Sequence, residues 1–190
     1  MENTYIAFLG PTNIAHGPLE DVLPVLKRRF DADPGELVLV FCVGTGQQVD
    51  FDLRGKLAEV LARAAPPAHK GPGRPRLGVT SREVTLLPQH WDWLEAQPNG
   101  ASAALRRLVD GAMRANPERE RARRIRAATG RILGAIAGNR PGYEEAMRAL
   151  YAGNTEVLMG LVDSWPRDIR SFVAARATEA ARADRLAAEK

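Results

Sequence analysis

The stretch REVTLLPQHWDWLEAQPNGASAALRRLVDGAMR, residues 82–114, holds the most informative pattern in this 190-residue chain. Its first six residues have the length of a strand and stop at Pro88, which cannot continue a sheet. A helix is predicted over about residues 89–97, where Trp91 and Trp93 supply much of the bulk. These two side chains lie two residues apart and point about 200° from each other on a helix. We expect both in a core; the alternative is that one of them is an anchor at an interface with a partner.

A strong turn at Pro98-Asn99-Gly100 separates this helix from the next one. Ser102 is suited to cap the second helix, and apolar side chains recur along one face of it. The stretch therefore predicts a strand–helix–helix unit over residues 80–115.

The order of these elements resembles the ribbon-helix-helix repressors, in which strands from two subunits pair into a ribbon that enters the major groove of DNA. A lone strand leaves backbone groups unpaired, and pairing across a two-fold axis would satisfy them. We therefore expect a homodimer whose interface includes Val84, Leu86, Trp91 and Leu105.

The strand itself is a weak reader of bases. In one phase its outward positions are Arg82, Val84 and Leu86, of which only Arg82 can hydrogen-bond a base edge or phosphate. The opposite phase is no better. The second helix adds Ser102, Arg106 and Arg107 as expected DNA contacts, because a helix amino end is suited to receive a phosphate. Dimerisation without any DNA contact is the alternative.

A basic linker rich in proline and glycine is predicted over residues 65–79, where no hydrophobic periodicity is present. Its core, GRPR at 73–76, resembles an AT-hook, the short arm that lies in the minor groove of A·T-rich DNA. The negative potential of that groove attracts arginine, and an extended Arg-Pro backbone is narrow enough to enter it. Lys70, Arg74 and Arg76 are the expected contacts. A plain solvated linker is the alternative.

Residues 1–64 are predicted to form a small α+β domain. An apolar run at 5–9 indicates a strand, and proline at the next helix start favours a helix after Pro18. Two further runs, 37–43 and 48–53, indicate a hairpin. This domain carries six Lys/Arg against nine Asp/Glu up to residue 63, so the positive charge of the chain lies further on.

Residues 116–190 are predicted to be a helical domain. The predicted fold class is therefore α+β, with a small N-terminal α/β unit, a ribbon-helix-helix-like centre and a helical last third. An acidic part joined to basic parts is common in proteins that meet a polyanion.

No constellation of catalytic or metal-ligating residues is apparent. Cys42 is the single cysteine and sits inside an apolar run, and His16, His69 and His90 are scattered. One isolated cysteine without nearby histidines does not build a zinc site, and a buried free cysteine behaves mainly as a small hydrophobe. We expect no enzyme activity, no metal and no cofactor.

The N-terminus lacks a secretory signal, and no apolar stretch has the length of a membrane span. A cytoplasmic protein without membrane contact is expected.

Several stretches together resemble a bacterial family of uncharacterised proteins, domain of unknown function 2239. The central ones are GRPRLGV (73–79), REVTLLPQHWDWL (82–94) and GASAALRRLV (100–109). Outside the centre, FLGP (8–11), QVDFDLRG (48–55) and PGYEE (141–145) also resemble it. The resemblance spans most of the chain and implies no activity and no site residues.

Together these patterns predict a DNA-binding regulatory or accessory protein that acts as a homodimer. The alternative is a protein-interaction or scaffold protein in which the strand–helix–helix only dimerises. Neither the basic linker nor the strand–helix–helix identifies a small-molecule ligand.

Overall fold

The computed structural model describes residues 4–65 and 80–189. These residues form a three-stranded antiparallel sheet and eight α-helices, so the α+β class predicted from the sequence is confirmed. They fall into two compact units. The first unit joins residues 4–65 to residues 118–189, and the second contains residues 80–117.

In chain order the elements are β1 (Tyr5–Leu9), β2 (Thr12–Gly17), α1 (Leu19–Ala32), β3 (Val38–Cys42), α2 (Leu57–Ala64), α3 (Pro88–Glu95), α4 (Gly100–Ala115), α5 (Pro117–Ala137), α6 (Tyr143–Ala152), α7 (Thr155–Leu161) and α8 (Arg167–Ala188). The second unit contains α3 and α4. None of the helices in the described ranges is long and apolar enough to cross a membrane.

The central strand of the sheet is β1, with β2 and β3 antiparallel on either side of it. Its side chains alternate between the two faces of the sheet, as in any strand. Ile6 and Phe8 lie in one hydrophobic core, while Tyr5 and Ala7 lie in another. All four are buried, so both faces of the sheet are covered.

The larger core covers the Ile6 and Phe8 face of the sheet with helices α5 to α8. Its helical members include Ile132, Leu133, Met147, Leu150, Leu158, Ile169, Phe172 and Val173. The smaller core covers the opposite face with α1 and α2, through Val22, Leu23, Leu26 and Val60. Cys42 is buried in this smaller core as a free thiol, in line with the apolar run that predicted it.

The two ends of the chain therefore share one fold. Composition assigned residues 1–64 and 116–190 to different domains, but the structure packs them into the first unit. The physical reason lies in β1, because a strand buried on both faces needs apolar partners on both sides. The N-terminal part supplies only α1 and α2.

The predicted hairpin is present only at its turn end. The first strand is there as β3, but of residues 48–53 only Gln48 forms a bridge, to Phe41. Val49 also donates its N–H to the Val40 carbonyl at 2.8 Å. The prediction of a strand continuing to residue 53 is wrong, since pairing ends where the chain turns toward α2.

Gly46, in the turn after β3, generates a stability prediction. Its φ is +69°, and an added Cβ would lie 2.3 Å from the Ala128 carbonyl oxygen of α5. We expect Gly46→Ala to lower the free energy of unfolding by about 2–5 kcal/mol, from a left-handed residue and an overpacked contact. Denaturant unfolding of the full chain measures it.

Gly44→Ala is the matched control, because Gly44 has no positive φ and no atom within 4 Å of an added Cβ. It should change the free energy of unfolding by no more than about 0.5 kcal/mol. Equal losses for the two variants would contradict this account of the turn.

Candidate nucleic-acid interface

The second unit is built from two helices of unequal length. Pro88 starts α3, where its missing N–H costs nothing, and the helix has eight residues. Asn99, in the left-handed region at φ 67°, turns the chain into α4, which has sixteen residues. At 1.5 Å per residue the helices are about 12 Å and about 24 Å long. The shorter helix therefore cannot cover the whole of the longer one.

The predicted strand before α3 is absent. Residues 80–87 have irregular backbone, so the strand prediction for this segment is wrong for a single copy. A strand forms only against a neighbour, and no described segment of the chain pairs with this one. Arg82 and Val84 are exposed here and Leu86 is half-buried.

Ser102 does not cap α4. The helix begins at Gly100 with Asn99 in the capping position, and no side-chain hydrogen bond is made there. The capping prediction is wrong because the turn residues that precede the serine already fold into the helix. Ser102 is exposed in the first turn, and its carbonyl accepts a hydrogen bond from Arg106 Nε at 3.1 Å.

The arginines of α4 are exposed and lack acidic partners. Arg106 and Arg114 each donate Nε to the carbonyl four residues earlier in their own helix. Arg107 Nη2 donates to the side-chain oxygen of Gln97 at 3.5 Å. None of the ion pairs within 4–65 and 80–189 involves a residue of the second unit. These guanidinium groups are available to an anion.

Helical spacing places the three arginines on one arc of α4. Successive residues are 100° apart, so Arg106, Arg107 and Arg114 fall within about 100° of one another. Lys70, Arg74 and Arg76, the predicted arm contacts, lie outside the described residues. Of the predicted DNA contacts, the structure therefore brings together only those on α4, namely Ser102, Arg106 and Arg107.

The second unit buries few of its apolar side chains. Leu94 and Ala104 are its buried residues, while Trp91 and Leu105 are half-buried between the helices. The second half of α4 leaves three large side chains largely exposed: Leu108 at 49%, Val109 at 55% and Met113 at 59%. We call these three residues the uncovered face. It exists because α3 ends after eight residues.

Trp93 is also exposed, at 51%, although the sequence predicted it in the core. It stands two residues from Trp91, so one short neighbouring helix cannot cover both rings. Val84 and Leu87 are likewise exposed. The sequence could have indicated the exposure of these three side chains, because they are apolar residues in a segment too short to bury them.

A family model described as "Uncharacterized protein conserved in bacteria (DUF2239)" matches residues 4–177. The chain belongs to this family. The resemblance read from the sequence is thereby confirmed, and the matched range runs through both units. No curated protein and no solved structure matches the chain. The ribbon-helix-helix and AT-hook resemblances stay hypotheses.

Leu94 is expected to hold α3 against α4, because it is the one large side chain buried in the second unit. Leu94→Ala removes most of this contact, at a cost of about 2–5 kcal/mol for a buried leucine. We predict faster trypsin cleavage after Arg106, Arg107 and Arg114 in the variant, read by mass spectrometry. Cleavage within α8 should keep its rate.

Glu95→Ala is the control, since this neighbouring side chain is exposed. Its cleavage pattern should match that of the unmodified protein. An unchanged rate in α4 for Leu94→Ala would show that α3 does not protect α4.

Proposed function

We propose that this protein is a homodimeric DNA-binding protein of the regulatory or accessory kind, acting in the bacterial cytoplasm. In the proposal two copies of the second unit associate through the uncovered face. The basic segment 70–76 and the arginines of α4 then contact the phosphate backbone. The observation that carries the proposal is the uncovered face.

Self-association is supported by how little the second unit buries. Small units bury a smaller share of their apolar surface than large ones and are correspondingly marginal in stability. Burial of a large apolar side chain contributes about 1.5–3 kcal/mol, so covering Leu108, Val109 and Met113 would stabilise it substantially. A second copy brings the same face and is the simplest partner under two-fold symmetry.

The segment before α3 supports the same arrangement. Its irregular backbone at 80–87 leaves donors and acceptors free to pair with another strand. In a dimer, residues 80–87 of the second copy could pair with this segment. Val84 and Leu86 would then become partly covered, as the ribbon-helix-helix resemblance implies.

DNA contact is supported by arginines that form no ion pair with any described residue. Arg106, Arg107 and Arg114 share an arc of α4, and a dimer would present two such sets. Neutralising phosphates releases counterions, and this release drives much of the affinity of proteins for DNA. The GRPR core of the arm adds arginines of the kind that enter a narrow minor groove.

A dimerisation-only function is the second candidate, and one observation favours it. Residues 80–117 carry four arginines against four acidic residues, so this unit has no net positive charge of its own. Affinity for DNA then depends on the arm. If the arm is only a linker, the second unit serves as a dimerisation module.

A salt titration of binding to duplex DNA tests the arm. We expect binding at low salt, tighter for A·T-rich than for G·C-rich duplexes, with an affinity that falls as salt rises. Arg74→Ala with Arg76→Ala should weaken binding and lower the salt slope by roughly 1 for each arginine lost from the contact. Arg167→Ala with Arg185→Ala removes the same charge from exposed sites on α8 and should leave binding nearly unchanged.

Absence of binding at low salt would eliminate the DNA proposal. An equal loss of affinity for DNA in the two double variants would show that the arm contributes only general positive charge and no specific contact. Retained dimerisation in either case would favour the second candidate.

A second experiment tests the dimer. Val109→Glu with Met113→Glu places two carboxylates on the uncovered face, and an unpaired charge is costly to bury. Light scattering should report a dimer for the unmodified chain and a monomer for this variant. Val157→Glu is the control, because Val157 on α7 is similarly exposed at 49% but belongs to the first unit. A monomeric unmodified chain would refute self-association.

A further inference from the structure

A groove in the first unit lies between the sheet and α8. Its volume is about 530 Å³, within the range of small-molecule sites. Ile6 and Val43 line it from the sheet, and Phe172 lines it from the helix. All three are buried. The floor of the groove is therefore apolar.

An irregularity in the sheet brings two polar side chains to this groove. Ala7 pairs with Ala15 and Phe8 with Asn13, so Ile14 is an extra residue in β2. Such a bulge shifts the alternation of side chains by one position. Asn13 and His16 consequently lie on the same face as Ile6, although they are three residues apart, and both line the groove.

One end of the groove holds a buried hydrogen-bond acceptor that has no donor among the described residues. The backbone N–H of Asn13 donates to Asp168 Oδ2 at 2.9 Å. The side-chain oxygen Oδ1 of Asn13 is buried and has no hydrogen-bond partner among the described residues. Leaving a buried acceptor unsatisfied costs about 1–3 kcal/mol. This end is suited to receive a donor.

Asp168, in the first turn of α8, supplies the negative charge at this end of the groove. It forms no ion pair with any described residue. No lysine or arginine is among the described residues that line this end beside Asn13, His16 and Ser171. An anionic ligand would add a second negative charge here, whereas a cationic ligand would neutralise the first.

At the other end of the groove the charged side chains pair with one another. Arg176, eight residues further along α8, pairs with Glu179, which also pairs with Arg121. Arg176 Nη2 donates to the Val43 carbonyl at 3.3 Å, and Nε donates to Thr129 Oγ1 at 3.4 Å. Burial lowers the pKa of the Arg176 guanidinium, and Glu179 opposes that shift. Arg176 therefore serves the fold, and among the described lining residues the carboxylate without an ion pair is that of Asp168.

We propose that this groove binds a small molecule with a protonated primary amine and an apolar body. The ammonium group donates to Asp168 and to Asn13 Oδ1, and the apolar body covers Ile6 and Phe172. A metal ion is a poorer fit, because no group of three or more His, Cys, Asp and Glu within residues 4–65 and 80–189 could hold one. The proposal is independent of DNA binding.

Calorimetry of the full chain with phenethylamine tests the proposal. Its isostere phenethyl alcohol has the same body without the charge, and hydrocinnamate carries the opposite charge. We expect phenethylamine to bind with a Kd of about 1 mM or tighter. The alcohol should bind at least about tenfold more weakly, because a charge-assisted hydrogen bond is lost. Hydrocinnamate should not bind.

Two variants locate the site. Asp168→Asn removes the charge, retains an oxygen for the Asn13 N–H, and should weaken phenethylamine binding at least about tenfold. Ala175→Phe fills the groove from the exposed face of α8 and should abolish binding. Asp163→Asn is the control, because Asp163 is exposed and pairs with Arg170 outside the groove.

Thermal unfolding of each variant shows whether the fold is retained. If Asp168→Asn does not fold, the amine-to-alcohol ratio and the Ala175→Phe variant still decide the question. No binding of phenethylamine, equal binding of amine and alcohol, or unchanged affinity in a folded Asp168→Asn or Ala175→Phe protein each overturns the proposal.

Discussion

Burial of β1 on both of its faces is the constraint on which the rest of the structure depends. Ile6 and Phe8 need apolar cover on one side, and Tyr5 and Ala7 need it on the other. The residues between β1 and Ala65 cover only the second face. The helices after Glu118 must therefore return to the sheet, and this return makes the two ends of the chain one unit.

The segment between these ends buries few of its apolar side chains, Leu94 and Ala104 among the described residues. In the second unit α3 is half the length of α4, and the three side chains of the uncovered face are 49–59% exposed. The same segment carries arginines that form no ion pair with any described residue. The half-exposed apolar face and these unpaired arginines are the two features behind the proposed function.

Local patterns in the sequence were enough to predict the first strand, α1, the helical last third and the apolar face of α4. These elements are determined by apolar periodicity and turn residues that lie close together in the sequence. The position of Asn13 was not predictable in this way. Its place in the groove depends on a bulge at Ile14 and on a hydrogen bond to Asp168, 155 residues away.

Two of the three failed predictions have the same physical origin. Residues 82–87 have the composition of a strand, but a strand exists only when another segment supplies hydrogen bonds. Ser102 has the chemistry of a cap, but Asn99 adopts the left-handed conformation three residues earlier and the helix starts there. Trp93 has the character of a core residue, yet the helix that carries it has one neighbour. For the strand and for Trp93 the outcome depends on a packing or pairing partner that a local pattern does not specify.

Hydrogen exchange in the second half of α4 tests the central claim most directly. Two uncovered helical turns are only marginally stable in water, because isolated short helices melt readily. If a second copy covers the uncovered face, amides from Val109 to Ala115 should be strongly protected at high protein concentration. On dilution they should lose that protection while α5 keeps its own. Rapid exchange of these amides at the highest concentration, with α5 still protected, would contradict the claim.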